Sequence, residues 1–184
     1  QFKSRFANYG FHAGAMMPVY GLAESSVGLA FPPLNRGPVI DQVERSTFMH
    51  SGQANPEPGS GQHALHFVSS GSPLPGHQIR IADQAGHELP ERQEGRLEFR
   101  GPSTTSGYYR DADNTRKLFH QDWLDSGYLD YIANGEVYIT GRIKDIIIRA
   151  GRNIYPHELE EAVGNIPGIR TGRVAVFGSV DTRT

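Results

Sequence analysis

Apolar and polar positions are most sharply ordered between Gly135 and Glu161. Val137 and Ile139 alternate with Tyr138 and Thr140, the period of a half-buried strand over 136–140. Ile146, Ile147 and Ile148 are β-branched and favour a second, buried strand. Between them, residues 141–145 carry three charges, Arg142, Lys144 and Asp145. Gly151, Arg152 and Asn153 have turn chemistry. Pro156 suits a first helical turn, and Glu158, Glu160 and Glu161 suit the positive end of a helix over 157–163.

Elsewhere the pattern is shorter-ranged. Phe2, Phe6 and Tyr9 lie on one helical face that Gly10 ends. Strands are expected at 16–20, with Pro18 at an edge or bulge, and at 27–31 and 39–43. Residues 32–62 otherwise read as a long irregular loop, nearly all Gly, Pro, Ser and polar over 53–62. Weak alternation follows at 63–69, and turn chemistry at 71–76. Strands at 77–82 and 96–100 flank a polar hairpin over 83–94. A short helix is expected over 113–119, capped by Asp113, with Leu118 and Phe119 inward. A last strand is expected over 170–177. The sum is a mixed α/β, strand-rich chain, in keeping with its 22 Gly and 12 Pro.

Composition narrows the function. The net charge of −2 is mixed along the chain with no basic stripe, which argues against a nucleic-acid partner. Without cysteine there is no disulfide, thiolate nucleophile or cysteine-ligated metal. No apolar run reaches membrane-spanning length. The eight His are scattered; His63 and His66 are three apart with no third ligand in view, and read as solvated. The chain starts at Gln1 without Met and stops just after the apolar 174–177, so a piece of a longer protein is expected.

Two places carry candidate chemistry. Tyr20-Gly21-Leu22-Ala23-Glu24 puts an aromatic ring, a close-approach glycine and a carboxylate directly after an expected strand. Ligands bind beyond strand ends in open α/β folds. Arg142 can fork onto a phosphate or pair with a carboxylate, and Lys144 and Asp145 sit where hinge residues occur. Both stretches also fit ordinary turns.

The spacing Gly141-Arg142-x-Lys144-Asp145, then Gly151-Arg152-Asn153-x-Tyr155-Pro156, then Glu158-Leu159-Glu160 resembles the hinge region of the adenylate-forming superfamily, which includes acyl-CoA synthetases, luciferases and adenylation domains. The fatty acyl-AMP ligase branch is most similar. The resemblance covers nearly the whole chain. It implies that residues 1–142 are the C-terminal portion of the large ATP- and acyl-binding domain, with 32–62 in the place of the branch's insertion. Residues 143–184 would begin the small mobile C-terminal domain. It further implies ATP or AMP as cofactor with Mg²⁺, a fatty acid substrate, and transfer of the acyl group to the phosphopantetheine of an acyl carrier protein, or to CoA, in the cytoplasm. Tyr20 and Gly21 would hold adenine, Glu24 would assist Mg²⁺, Arg142 would contact ribose or phosphate, and Lys144 would be the hinge.

One departure stands out. In Ser126-Gly127-Tyr128, Tyr128 occupies the position where the family has a ribose-binding Asp. A phenol cannot supply two anionic acceptors, so weaker ATP binding is expected. Asp130, two residues on, is a candidate replacement. The phosphate loop and the adenylation lysine are expected outside residues 1–184, which alone would then have no turnover. The rival readings are an acyl-CoA synthetase and a degenerate, non-catalytic nucleotide-binding module.

Overall fold

The computed structural model describes residues 2–57, 64–149, 152–170 and 172–179. The chain opens with a short helix α1 (Phe2–Phe6) that tightens into a 3₁₀ turn and ends at left-handed Gly10. Single-turn 3₁₀ segments at Ala13–Ala15 and Ala23–Ser25 precede β1 (Ala30–Phe31) and β2 (Ile40–Val43). Next come α2 (Arg45–Ser51), β3 (Leu65–Val68), β4 (Ser72–Pro73), β5 (Gln78–Ala82) and β6 (Gly95–Arg100). The chain continues through α3 (Ala112–Leu118), β7 (Phe119–His120), β8 (Trp123–Ala133) and β9 (Glu136–Arg142). It then forms β10 (Ile147–Arg149), β11 (Arg152–Ile154) and α4 (Pro156–Gly164).

The result is mixed α/β and strand-rich. Every ladder among the described strands is antiparallel. Strand β8 is the centre of a five-stranded sheet, paired with β6 along one edge and with β7 and β9 along the other. Its side chains alternate between two cores, as the pleat requires. Tyr131 and Ala133 join Phe48, Phe67, Tyr138 and Tyr155, whereas Leu124, Tyr128 and Ile132 join Tyr20, Leu97 and Phe99.

Several expectations need correction. Residues 16–20 form no strand; Tyr20 makes a single bridge to Ala30, because Ala13–Ala15 coils and Pro18 cannot donate to a ladder. The strand expected over 27–31 shrinks to β1, since Val27 is left-handed at φ 78°. The 32–62 stretch is not irregular throughout: it holds β2 and α2, whose Phe48 is wholly buried and whose end is capped by left-handed Gly52. Within it, residues 58–62 lie outside the described set, as does His63. The cap of α3 is Asp111, not Asp113; its carboxylate accepts from the Asn114 amide at 3.0 Å. Residues 152–154 are a strand rather than a turn, while Gly151 lies outside the described residues. Residues 174–177 form no strand, and Phe177 is exposed.

The two cores contain acids. Glu98 is wholly buried but ion-paired with Arg80 and bonded to His120. Glu94 accepts from the Tyr155 hydroxyl at 2.9 Å and from Thr140. Asp130 is wholly buried, and neither of its oxygens has a hydrogen-bond partner among the described residues. Burial first, and the neighbouring Glu94 second, push Asp130 well above the usual carboxylate range. Burial also raises Glu94, against the hydroxyl bonds that favour its charge.

The folded chain therefore holds protons that the unfolded chain releases, and stability falls as pH rises above the ordinary carboxylate range. Hydrogen bonds hold Glu44, Asp83, Asp111 and Glu136 low, through Ser46, the His87 amide, the Asn114 amide and Arg36 respectively. Those groups lose their stabilising contribution on the acid side, as pH falls through their lowered values. Stability is thus expected to peak at mildly acid pH. Thermal unfolding from pH 3 to 8 checks this (roughly the span over which carboxylates and buried acids titrate). Asp130→Asn should remove most of the decline above the peak; a decline of unchanged slope in that variant would show that another group causes it.

Candidate functional site

The Tyr20 segment is a tight loop closed on itself. The Leu29 amide donates to the Tyr20 carbonyl at 3.0 Å, and the Val27 amide to the Leu22 carbonyl at 3.0 Å. A Cβ on Gly21 would lie 1.4 Å from the Val27 carbonyl oxygen, so no other residue fits there without moving the backbone. Val27 holds a left-handed φ of 78°, strained for a β-branched residue. Strain of this kind gathers at ligand sites.

Glu24 lies on the 3₁₀ turn Ala23–Ser25. It accepts a hydrogen bond from the Tyr108 hydroxyl at 3.1 Å. The loop around Tyr108 also pins the turn's backbone: the Thr105 amide donates to the Glu24 carbonyl at 2.8 Å, and the Ser103 hydroxyl to the Ser25 carbonyl at 2.9 Å. The sequence of Gly107-Tyr108-Tyr109 does not point to this role. Its exposed tyrosines were the available signal, but a contact spanning 84 positions leaves no trace in periodicity.

Tyr128 reaches the site through a bulge. Strand β8 pairs regularly with β6 at Leu124 and Asp125 and again at Leu129 and Asp130, leaving 126–128 out of the ladder opposite a single residue of β6. Asp125 builds the bulge: one oxygen takes the Gly127 amide at 2.8 Å, and the other pairs with Arg96. Gly127 takes the left-handed φ of 76° that the kink needs. The Tyr128 ring then meets the Tyr20 ring edge-on, with centroids 5.7 Å apart. Arg142, opposite Tyr128 in the β8–β9 register, lays its guanidinium 5.3 Å from the Tyr128 ring centroid.

The structure thus brings Tyr20, Tyr128 and Arg142 into one line, with Gly21 and Glu24 on the adjoining loop. Tyr20 is only 5% exposed, and its hydroxyl lies beside Ser126. Burial is the main reason its phenol is pushed far up. Lys144 is exposed in the turn after β9. Together with Arg142, Tyr155 and Phe177 it lines an open cleft of about 700 Å³.

The groups present suit a hydrated Mg²⁺ held mainly by phosphates better than a protein-caged metal. Glu24 offers one carboxylate, and no cluster of three His, Cys, Asp or Glu occurs among the described residues. No helix among the described residues is long and apolar enough to cross a membrane.

Known proteins agree with this architecture. A protein of Caulobacter vibrioides, provisionally named an acyl-CoA synthetase, is 36% identical over 96% of the chain and 31% of its own length. The long-chain-fatty-acid–AMP ligase FadD26 of Mycobacterium tuberculosis is 31% identical over 96% of the chain and 32% of its own length. A structure from work on fatty acyl-adenylate ligases of E. coli and L. pneumophila superposes with a TM-score of 0.91 at 35% identity, over 97% of this chain and 32% of that one. The chain spans about a third of the length of these relatives. Residues 1–109, more than half of the chain, match the AMP-binding enzyme family, and the chain belongs to that family.

Proposed function

We propose that this chain is the nucleotide-holding part of an ATP-dependent fatty-acid adenylating ligase, one that forms acyl-AMP and passes the acyl group to an acyl carrier protein in the cytoplasm. The carrying observation is the line Glu24–Gly21–Tyr20–Tyr128–Arg142, assembled from three separate segments of the fold. The likeness to a fatty acyl-adenylate ligase structure and to FadD26 supports the substrate class.

In this reading a carboxylate attacks the α-phosphorus of ATP and pyrophosphate leaves. Mg²⁺, when bound, neutralises phosphate charge. Glu24 is the carboxylate that would hold it, oriented by the Tyr108 hydroxyl. The Tyr20 ring offers a π-face to adenine once Tyr128 yields, and Gly21 lets the loop that carries it close against the Val27 carbonyl. Arg142 is exposed and free to leave the Tyr128 ring for ribose or phosphate, where fixed positive charge favours the transition state. We place the domain boundary at 142/143 and the pivot at Lys144. The segment beyond it is docked here by buried Tyr155 and by the Arg45–Glu158 pair, so a swing must undo both contacts.

A second reading, a non-catalytic module, is favoured by one observation: Tyr128 fills space beside Tyr20 that a nucleotide would need. Calorimetry and ATP–pyrophosphate exchange together separate the two, because a non-catalytic module gives no exchange. The ligase reading requires ATP binding by the full-length protein. Tyr20→Leu, which keeps apolar volume but loses the ring, should weaken that binding roughly tenfold. Glu24→Gln should slow Mg²⁺-dependent ATP–pyrophosphate exchange by roughly 10²-fold. Unchanged binding and exchange in these variants would remove both residues from the site.

The acceptor is tested separately. With adenylate formed in place, transfer to a phosphopantetheinylated carrier protein should exceed transfer to CoA at least about tenfold, a discrimination worth roughly 1.4 kcal/mol. The reverse preference would mark an acyl-CoA synthetase, as the name of the Caulobacter vibrioides relative has it.

A further inference from the structure

We propose that Glu94 is a positioning residue for the ligase: through the Tyr155 hydroxyl it latches the segment beyond Lys144 to the body, and so sets how readily that segment swings between the two half-reactions. This rests on the ligase reading and its pivot above, and adds the contact that governs the swing.

The first support is where the two halves of the contact lie. Glu94 belongs to the body. Its amide donates to the Gly52 carbonyl at 2.8 Å, and a Cβ on Gly52 would stand 3.1 Å from the Glu94 Cβ, so the end of α2 holds it closely. The Thr140 hydroxyl of β9, also in the body, donates to one of its oxygens. Tyr155 belongs to the segment after the pivot, 61 positions along, and its hydroxyl lies 2.9 Å from both Glu94 oxygens. The Asn153 side chain, from that same segment, faces the carboxylate as well.

The second support is that packing does not need the hydroxyl. The Tyr155 ring already sits in the aromatic cluster beside Phe48, where a phenylalanine would pack equally well. A phenol carried to that depth needs a hydrogen-bond partner. The partner it takes in the body is Glu94.

The third support is the chemistry of a covered acid. Ile143, Ile146 and Asn153 close one side of a cleft of about 510 Å³ over Glu94, and Met49 and Leu89 of the body close the other. Docking thus removes much of the water around the carboxylate. Burial then outweighs the hydroxyl bonds and raises Glu94 above its ordinary range. With the segment swung out, Glu94 meets water and returns toward that range. Below the ordinary range both arrangements hold the proton, and above the raised value neither does. Between the two, the docked form keeps a proton that the swung form releases, so docking weakens as pH rises.

The neighbours do not supply this trend. Asp130 of β8 acts on Glu94 from within the body, in both arrangements. His50, Asp83 and Arg96 line the same cleft but are engaged by the Ser46 carbonyl, His87 and Asp125 respectively. Glu158 pairs with Arg45, and protonating that carboxylate would loosen docking, the opposite trend.

Energy transfer between dyes on Glu88→Cys and Glu161→Cys, exposed positions on either side of the pivot, reads the swing in the full-length protein freed of other cysteines. The ratio of open to docked molecules should rise by up to about tenfold per pH unit above the ordinary carboxylate range. Glu94→Gln, the neutral counterpart, with its fold checked by thermal unfolding, should stay docked and lose that pH dependence. Tyr155→Phe, which keeps the ring, should raise the open-to-docked ratio roughly five- to tenfold. A flat ratio in the unmodified protein, an unaltered pH profile in Glu94→Gln, or an unaltered ratio in Tyr155→Phe each overturns the latch. Glu94→Gln should also leave ATP–pyrophosphate exchange unchanged and slow transfer to the carrier protein severalfold; equal loss of both, or of neither, overturns the positioning role. Absence of exchange in the unmodified protein removes the ligase reading, whereas the dyes judge the latch by itself.

Discussion

The bulge in β8 is the constraint on which the site depends. Asp125, anchored by Arg96, captures the Gly127 amide and forces three residues out of the β6–β8 ladder. One consequence runs inward: Tyr128 is thrown against Tyr20, and the strand re-enters its ladder with Asp130 at full depth. The other runs outward. The Gly127 carbonyl accepts the Ile143 amide at 3.0 Å, so the same kink holds the chain immediately before Lys144. A single local irregularity thereby ties the aromatic pocket to the start of the turn proposed as the pivot.

The segment after that turn is held by different forces. Tyr155 is 1% exposed, packs 5.9 Å from the Phe48 ring, and donates its hydroxyl to Glu94. The bidentate Arg45–Glu158 pair is partly solvated and so contributes modestly. Burial of the Tyr155 ring stabilises the docked segment more than that pair does. The docking helix α2 thus presents one apolar anchor and one charged pair to the segment beyond Lys144. In the ligase reading, movement of the small domain means extracting Tyr155 from an aromatic cluster, so the docked arrangement is a discrete state with a barrier.

Much of this was legible in the chain. Period-two alternation marked β5, β6 and β9, and Pro156 with its acidic neighbours marked α4. The strands lost were those whose apolar residues serve another purpose. Val27 bends a loop, and residues 174–177 find no ladder among the described residues. Helix α2 was missed because its seven residues bury just Phe48, too little for a 3.6-residue period to show, although Gly52 marked its end. In the site, the family resemblance singled out Tyr20, Glu24, Tyr128 and Arg142. That Tyr128 bridges Tyr20 and Arg142, that Tyr108 orients Glu24, and that Asp130 is stranded without a donor arise from tertiary contacts. No local pattern encodes these.

In the proposed reading, the contact of Tyr128 with Tyr20 and Arg142 marks a nucleotide site held closed by its own side chains. A crystal structure of the full-length protein with AMP tests it most directly. The expected result is adenine against the Tyr20 ring, with Tyr128 turned away from it. AMP bound elsewhere, with the Tyr20–Tyr128 contact intact, would contradict it.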